Sequence, residues 1–520
     1  MLGLLAMGAL GFALSLHFGL IGGAQFIEGV VVSERPMSLN PLIGDSDPAV
    51  VDVGHLLYRS LLKLDGTGYP RADLAASFAV SGNGLIYTVV LAPGLEWSNG
   101  RPITATDVVA TDAFALSPEA TDPTLSAALR GISVTGSQST VTFKLPAPRA
   151  SFAATLTQLP ILPLGGMSKP ALQVVAAHPT APMSTSGAYE VRSTEARAIL
   201  LQPNPHAGAR PNIMSYELRL FIRFSDAASA FAQGSVNALL ATTPAQLAQL
   251  LAVRGSLAQT MTTPDFVDLM FNERAAALTD PVVRQAIGIA IDRYAVVEGA
   301  LDRRSGVVQT GPFSKGMPWV GSSRPGPLSP TVAAAMLQRD GWVPGSDGTL
   351  QKGSIQLAFT LKVPRIDPLP IVAQEVATQL AAVGVRVTVD TVAPENFLKG
   401  SLDTADFQLA IDTWSPGPDP DVSAFWRSNA MPPRGYNMSG GPVDPFLDSA
   451  LDMLAESSSR TLRTDAAAHV ATLIAQDAPA VFLYTPQVSM VFRVPTPVAP
   501  MPSVGDRSAR YDDIASWQFR

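Results

Sequence analysis

The chain has 520 residues, of which 15% are charged, with a net charge of −7 and no cysteine. The length exceeds what a single hydrophobic core fills, about 250–300 residues, so two or three lobes are expected. Disulfides, thiolate metal sites and cysteine nucleophiles are excluded, and a net acidic chain without clustered Lys and Arg is not built for nucleic acid.

In chain order, Leu2–Ala24 is apolar or small except for Ser15 and His17. About 20 such residues suffice to cross a bilayer. Two readings stay open: a secretory signal cut after Ala24, or a retained anchor. No Lys or Arg precedes the run, which fits a true start further upstream. Either reading exports the chain. Phe26–Val32 reads as a strand, and the spacing over 50–64 predicts a helix. Leu85, Tyr87, Val89 and Leu91 alternate with their neighbours, the period of a half-buried strand. A hairpin is expected from 132–134 to 141–145, and a strand over 217–224 with Leu218, Leu220, Ile222 and Phe224 on one face.

Asp280-Pro281 opens a helix, with Asp as N-cap and Pro at the first helical position. Its buried stripe is expected to be Val283, Ile287, Ala290 and Ile291. The Pro-rich stretch 318–330 reads as a loop. Ile355 to Val363 alternates as a strand. Val372, Val376, Leu380 and Val383 follow at helical spacing, and Gly384 caps that helix. Val385, Val387 and Val389 form a second strand and Phe407–Ile411 a third. Strand, helix, strand with short connections is a βαβ unit with parallel strands. The expected class is therefore α/β with an antiparallel α+β insertion around 85–145. Ligands of open α/β sheets bind beyond the carboxyl ends of the strands, where the Trp-, Pro- and Asp-rich loop after Ile411 lies.

Several blocks carry a family resemblance: 56–65 (LLYRSLLKLD), 73–80 (DLAASFAV), 84–109 (GLIYTVVLAPGLEWSNGRPITATDVV), 186–191 (SGAYEV), 270–294 (MFNERAAALTDPVVRQAIGIAIDRY), 406–420 (DFQLAIDTWSPGPDP) and 476–485 (QDAPAVFLYT). In this order, from about residue 26 to about 490, the chain resembles the peptide/nickel-type (dipeptide- and oligopeptide-binding) solute-binding proteins of ABC transporters. The resemblance implies a hinged periplasmic-binding-protein-like fold of two halves and three lobes, with mixed sheets flanked by helices. Lobe one is then 25–43, 185–265 and 481–520, lobe two 44–184 and lobe three 266–480, after the signal or anchor segment 1–24. It also implies an extracytoplasmic monomer that takes a short peptide or other small solute and meets ABC permease transmembrane subunits, attached to the membrane, if at all, by residues 2–24. An alternative with the same fold is a membrane-tethered sensor or chaperone-like binding protein for a non-peptide ligand.

By the same resemblance, Trp414 lines the cleft, and an Asp three residues later holds a peptide amine through a charge-assisted bond. Here Gly417 stands at that place. Asp419 matches a later Asp-Pro and reads as structural, while Asp412 is placed to supply negative charge from another direction. Glu34 resembles a position over the ligand backbone, against the plain reading of a solvated loop carboxylate. Tyr484 ends a strand facing either cleft or core. The expected ligand contacts are Glu34 and Tyr484 from one half and Asp412, Trp414 and Ser415 from the other. Replacing Trp414 by Ala is expected to weaken binding without unfolding. Trp97, Trp319, Trp342 and Trp426 read as packing.

Enzymatic readings find little footing. Thr104-Ala-Thr-Asp107 fits a helix-capping box, with Asp for Glu. Ser60-Leu-Leu-Lys63 matches the Ser-x-x-Lys of penicillin-binding enzymes without its companion motifs. No elbow, zinc or phosphate-loop motif is present, and the five histidines (His17, His55, His178, His206, His469) include no pair at ligand spacing. No catalytic residue, cofactor or metal is expected. A secreted hydrolase remains the third reading.

Overall fold

The computed structural model describes residues 25–43, 47–65, 68–314, 317, 329–493, 497–498 and 505–519. The apolar segment 2–24, and 318–328 of the Pro-rich stretch with Trp319, lie outside them. Among the described residues, no helix is long and apolar enough to cross a membrane.

Alternation and helical spacing produce most of the expected elements. Phe26–Val31 is a strand, as are Ile86–Leu91, Ser133–Ser137 and Thr140–Lys144. The last three join Ala75–Val80 in a four-stranded antiparallel sheet. Asp280 caps the helix Pro281–Ala290 by accepting from the Val282 amide at 2.9 Å. Val283, Ile287, Ala290 and Ile291 are all buried. The βαβ unit is present: Ala358–Pro364 and Arg386–Val392 pair in parallel around the helix Leu369–Ala381, and Leu409–Trp414 adds a parallel neighbour.

Four expectations shift. The helix expected over 50–64 spans Pro48–Leu57, and Leu62–Leu64 is a strand paired with Pro70–Ala72. The helix ends because the backbone amides of Ser186 and Gly187 donate to the Leu57 carbonyl at 3.1 and 2.8 Å. A Cβ on Gly187 would lie 2.3 Å from the Leu56 carbonyl oxygen, so only glycine permits that approach. The strand of 217–224 stops at Phe221; Ile222 is exposed and Phe224 begins a helix. Ile355–Gln356 leaves its strand for a small three-stranded sheet. The third strand of the βαβ region runs Leu409–Trp414, extending three residues beyond the expected Ile411.

One twelve-stranded mixed sheet organises the molecule. Its centre is the long strand Ala480–Arg493. Residues up to Tyr484 pair with Val267–Met270, and Gln487–Arg493 pair with Ser256–Thr262. The buried apolar clusters divide at the same place. Those built on 26–261 and 488–517 contain no buried residue of 266–484, and the clusters of 266–484 contain none of the others. The backbone therefore passes from one body of core to the other at 262–266 and again at 484–488. The two passages are tied: the Thr263 amide donates to the Pro486 carbonyl at 3.1 Å, and Gln487 Nε2 donates to Thr262 Oγ1 at 3.2 Å.

The two bodies also meet away from this junction. The Ala150 amide donates to the Ala455 carbonyl at 2.7 Å, and the Arg460 guanidinium lies 3.8 Å above the Tyr69 ring, a cation–π contact.

Candidate functional site

A cleft of about 370 Å³ opens beside the junction. The body containing the chain start contributes Thr242, Thr263, Val488, Asp506 and Arg507 to it. The other body contributes Ser305, Asp367, Thr413, Ser415 and Tyr484, and Asp265 comes from the passage between them. Thr413 and Ser415 stand at the end of a strand parallel to its neighbour, beyond the carboxyl edge where α/β sheets bind ligands.

Asp265 is a half-buried acid of this cleft. Burial pushes its carboxyl above the ordinary range and the Asp506 charge adds to that, while the nearby Ser415 and Thr263 side chains pull it back. Asp506 Oδ1 accepts the amides of Ser508 and Ala509 at 2.9 and 3.0 Å, which fixes the start of a 3₁₀ turn. The Arg507 charge is taken up within the protein: Nε and Nη2 each lie 2.9 Å from Asp52 Oδ2, and the same oxygen receives Arg510 Nη1 at 2.9 Å. Arg510, Glu28, Tyr511 and Tyr216 complete a buried network behind the cleft, with Tyr511 Oη 2.8 Å from Glu28 Oε1.

Tyr484 reaches the cleft through a β-bulge. Val267 pairs with Tyr484 and Asp268 with Phe482, so Leu483 is the extra residue. A bulge re-aims the side chains on either side of it: Phe482 packs in one apolar cluster, Leu483 and Tyr484 in the other. The ring needs Gly306 beside it, since a Cβ there would lie 2.9 Å from Tyr484 Cδ2 and 2.5 Å from Leu301 Cδ1. Burial raises the phenol further above its usual value.

Of the residues expected to bind ligand, Ser415 and Tyr484 line this cleft and the others sit elsewhere. Glu34 is exposed in the loop after the first strand and is not among the lining residues. Trp414 is 8% exposed and packs against Phe425, its indole N–H donating to Asp268 Oδ1 at 3.1 Å. Strand parity accounts for this: Trp414 and Asp412 point to one face, Thr413 and Ser415 to the other. Asp412 stands directly opposite Asp268 on the neighbouring antiparallel strand. Burial pushes Asp412 up to about 6 and Asp268 well above its usual range, the latter aided by the Asp412 charge. Gly417 adopts φ +82° and lines a separate, much smaller void together with Asp419. Asp419 is bound by Arg463, with Nη1 at 3.0 Å, which gives it a structural task.

The sequence reading missed Thr263, Asp265, Ser305, Asp367, Thr413, Asp506 and Arg507. The available signal was Thr-Pro-Asp at 263–265, a polar break between two apolar strands. Asp107 does close the capping box, accepting from the Thr104 amide at 3.0 Å. Trp97, Trp342 and Trp426 are buried. Among the described residues, no group of three or more His, Cys, Asp or Glu is placed to hold a metal ion.

Comparison with known proteins gives a consistent picture. Residues 70–434 match the profile of the bacterial extracellular solute-binding proteins, family 5 (middle). Protein XP55 of Streptomyces lividans is 27% identical over 478 residues, covering 89% of this chain and 84% of that one. The oligopeptide-binding protein AppA of Bacillus subtilis is 25% identical over 487 residues, 88% and 85% of the two chains. Its crystal structure with a nonapeptide superposes with a TM-score of 0.70 at 23% identity, covering 96% of this chain and 99% of that one. NikZ of Campylobacter jejuni, solved in complex with Ni(L-His), gives a TM-score of 0.72 at 20% identity over 95% and 99% of the chains. These structural likenesses show a shared fold, a mixed α/β architecture whose large sheet is flanked by helices.

Proposed function

The chain belongs to the bacterial extracellular solute-binding proteins of family 5, and we propose that it captures a short peptide or related small solute between two hinged halves and delivers it to the transmembrane subunits of an ABC importer. The observation that carries this reading is a cleft lined from both bodies of core at the place where the chain passes between them. A solute touching both sides has more contacts when the halves are closed, and only such differential affinity drives closure. Closure also lowers the effective dielectric around each polar contact and strengthens it.

In this proposal lobes one (25–43, 185–265, 481–520) and two (44–184) form one half and lobe three (266–480) the other. The hinge lies at the two tied passages. Ser415 and Thr413 contact the solute from lobe three. Tyr484, of lobe one by chain position although its ring packs in the core of the other body, joins them, and Asp265, Thr263 and Asp506 of lobe one face them. Glu34, Asp412, Trp414, Gly417 and Asp419 serve the scaffold. The protein works as a monomeric binder without catalytic turnover, on the outer side of the membrane, with residues 2–24 as export signal or tether. A peptide is the leading solute: the AppA relative is named an oligopeptide-binding protein, and extended backbones hydrogen-bond readily to cleft walls.

Native mass spectrometry of the purified full-length chain, challenged with a mixed pool of short peptides, tests this. A retained peptide that also raises the melting temperature is the expected result. A chain that retains no peptide and shows no shift would overturn the peptide reading and direct the search to other solutes.

A further inference from the structure

We infer that a second cavity, built wholly within the body that contains the chain start, binds a free α-amino acid with an apolar side chain. Lys63 and Tyr58 hold its carboxylate and Asp512 its ammonium. The cavity measures about 340 Å³, at the lower end of the range for small-molecule sites, about 300–1,000 Å³. Its lining falls within 55–64, 73, 157, 186–188, 207–209 and 506–515 and includes no residue of 266–484. Its walls therefore do not depend on closure of the two halves.

Three observations carry this. The first is a buried donor without an acceptor. Tyr58 lines the cavity and is 3% exposed, and its hydroxyl has no hydrogen-bond partner among the described residues. Burial raises the phenol further above its usual value, so it remains a donor at neutral pH. Buried polar groups are ordinarily satisfied, and a carboxylate in the cavity supplies the acceptor.

The second is the balance of charge. Arg59 and Asp73 neutralise each other, with Nη2 2.9 Å from Oδ1 and Nε 3.2 Å from Oδ2. Asp506 Oδ1 is occupied by the amides of Ser508 and Ala509. Lys63 and Asp512 make no side-chain hydrogen bond or ion pair among the described residues. Although Asp512 is exposed over part of its surface, partial removal from water pushes its carboxyl up to about 6, and the nearby His55 and Lys63 pull the other way. At neutral pH it is ionised. A free cation and a free anion in one cavity suit a dipolar molecule better than a simple anion or cation.

The third is the apolar part of the lining. Leu62, Ala188 and Ile514 stand among the polar groups, and they give an aliphatic side chain a place out of water. Asp506 lines this cavity and the cleft alike. The 3₁₀ turn Arg507–Tyr511 gives Arg507 to the cleft and Ala509 and Tyr511 to the cavity. A molecule held by Asp512 thus steadies the wall that this turn gives to the cleft.

The test uses the full chain and three probes: L-leucine, N-acetyl-L-leucine, which lacks the ammonium, and L-leucinamide, which lacks the carboxylate. Binding is read by isothermal titration calorimetry. Leucine should bind about tenfold or more tightly than either derivative, the loss expected when one hydrogen-bonded charge goes unmatched. Lys63→Met should erase the advantage over leucinamide alone, and Asp512→Asn the advantage over N-acetyl-leucine alone. Equal binding of the three probes by the unaltered protein, or no binding of leucine, overturns the inference without need of a variant. So does a selectivity that both folded variants keep, which would place leucine elsewhere. Peptide capture in the cleft is measured separately and stands or falls on its own.

Discussion

Replacing Asp412 by Asn should stabilise the protein near neutral pH and leave it unchanged in acid. Asp412 and Asp268 face each other on adjacent antiparallel strands, and like charges so placed repel. Burial raises Asp412 from 3.8 to about 6. A carboxyl with a raised folded-state value binds its proton more tightly folded than unfolded, so its favourable contribution is complete below about 3.8. It declines as pH rises and is gone above about 6, where the folded protein carries a poorly solvated charge. The gap of about 2 pH units corresponds to about 3 kcal/mol at 1.36 kcal/mol per unit. Asn keeps an acceptor for the Thr413 amide, which Asp412 Oδ1 now receives at 2.8 Å, and carries no charge. In a half of this size, 1 kcal/mol moves the melting temperature by about 2–4 °C. The variant should therefore melt roughly 6–12 °C above the parent at pH 7.5 and match it near pH 3.5, by scanning calorimetry in matched buffers. Parallel pH profiles for the two proteins would refute the buried-charge account. A loss of solute affinity without any pH-dependent gain in stability would return Asp412 to the binding site.

Other substitutions probe the same architecture. Arg284→Met removes the buried guanidinium 3.2 Å from Glu273 and 2.7 Å from Asp477; the stranded carboxylates should cost about 3–5 kcal/mol in denaturant unfolding. Trp414→Ala, at an 8% exposed core position, should cost about 3–5 kcal/mol, contrary to the sequence expectation of a stable variant. Trp414→Phe should cost about 1–3 kcal/mol by leaving Asp268 without its indole donor. Gly306→Ala forces a Cβ to 2.5 Å from Leu301 Cδ1, which should cost about 1–3 kcal/mol of overpacking. By displacing Tyr484 it should also reduce peptide retention in native mass spectrometry.

The scaffold was far more legible in the sequence than the site, and the reason lies in what the recognisable blocks do. Trp97 is fully buried, and Arg101 binds the buried Asp107 at 2.6 Å. Asn272 Nδ2 donates to the Phe407 carbonyl at 2.8 Å, and Arg284 Nη1 donates to the Leu278 carbonyl at 2.7 Å. These residues fasten elements to one another, so their spacing is tied to the fold and reads through. The cleft is assembled from short segments, 263–265, 305, 366–369, 413–415 and 506–507, each too brief to carry a period. Within the 409–414 strand the aromatic residue drew attention, yet parity gives the cleft to its smaller neighbours. The bulge that turns Tyr484 toward the cleft depends on pairing across strands far apart in the chain, which local pattern does not encode.

The tie between Thr262 and Gln487 also says something about how such a chain can be rebuilt. Everything between those two residues leaves and re-enters the first body at a single doorway, so residues 266–484 are, in topology, a graft on a host that closes without them. A short linker from 262 to 487 should suffice to seal the host. Conversely, the doorway is where a reporter domain, spliced in place of one passage, would feel every swing of the graft.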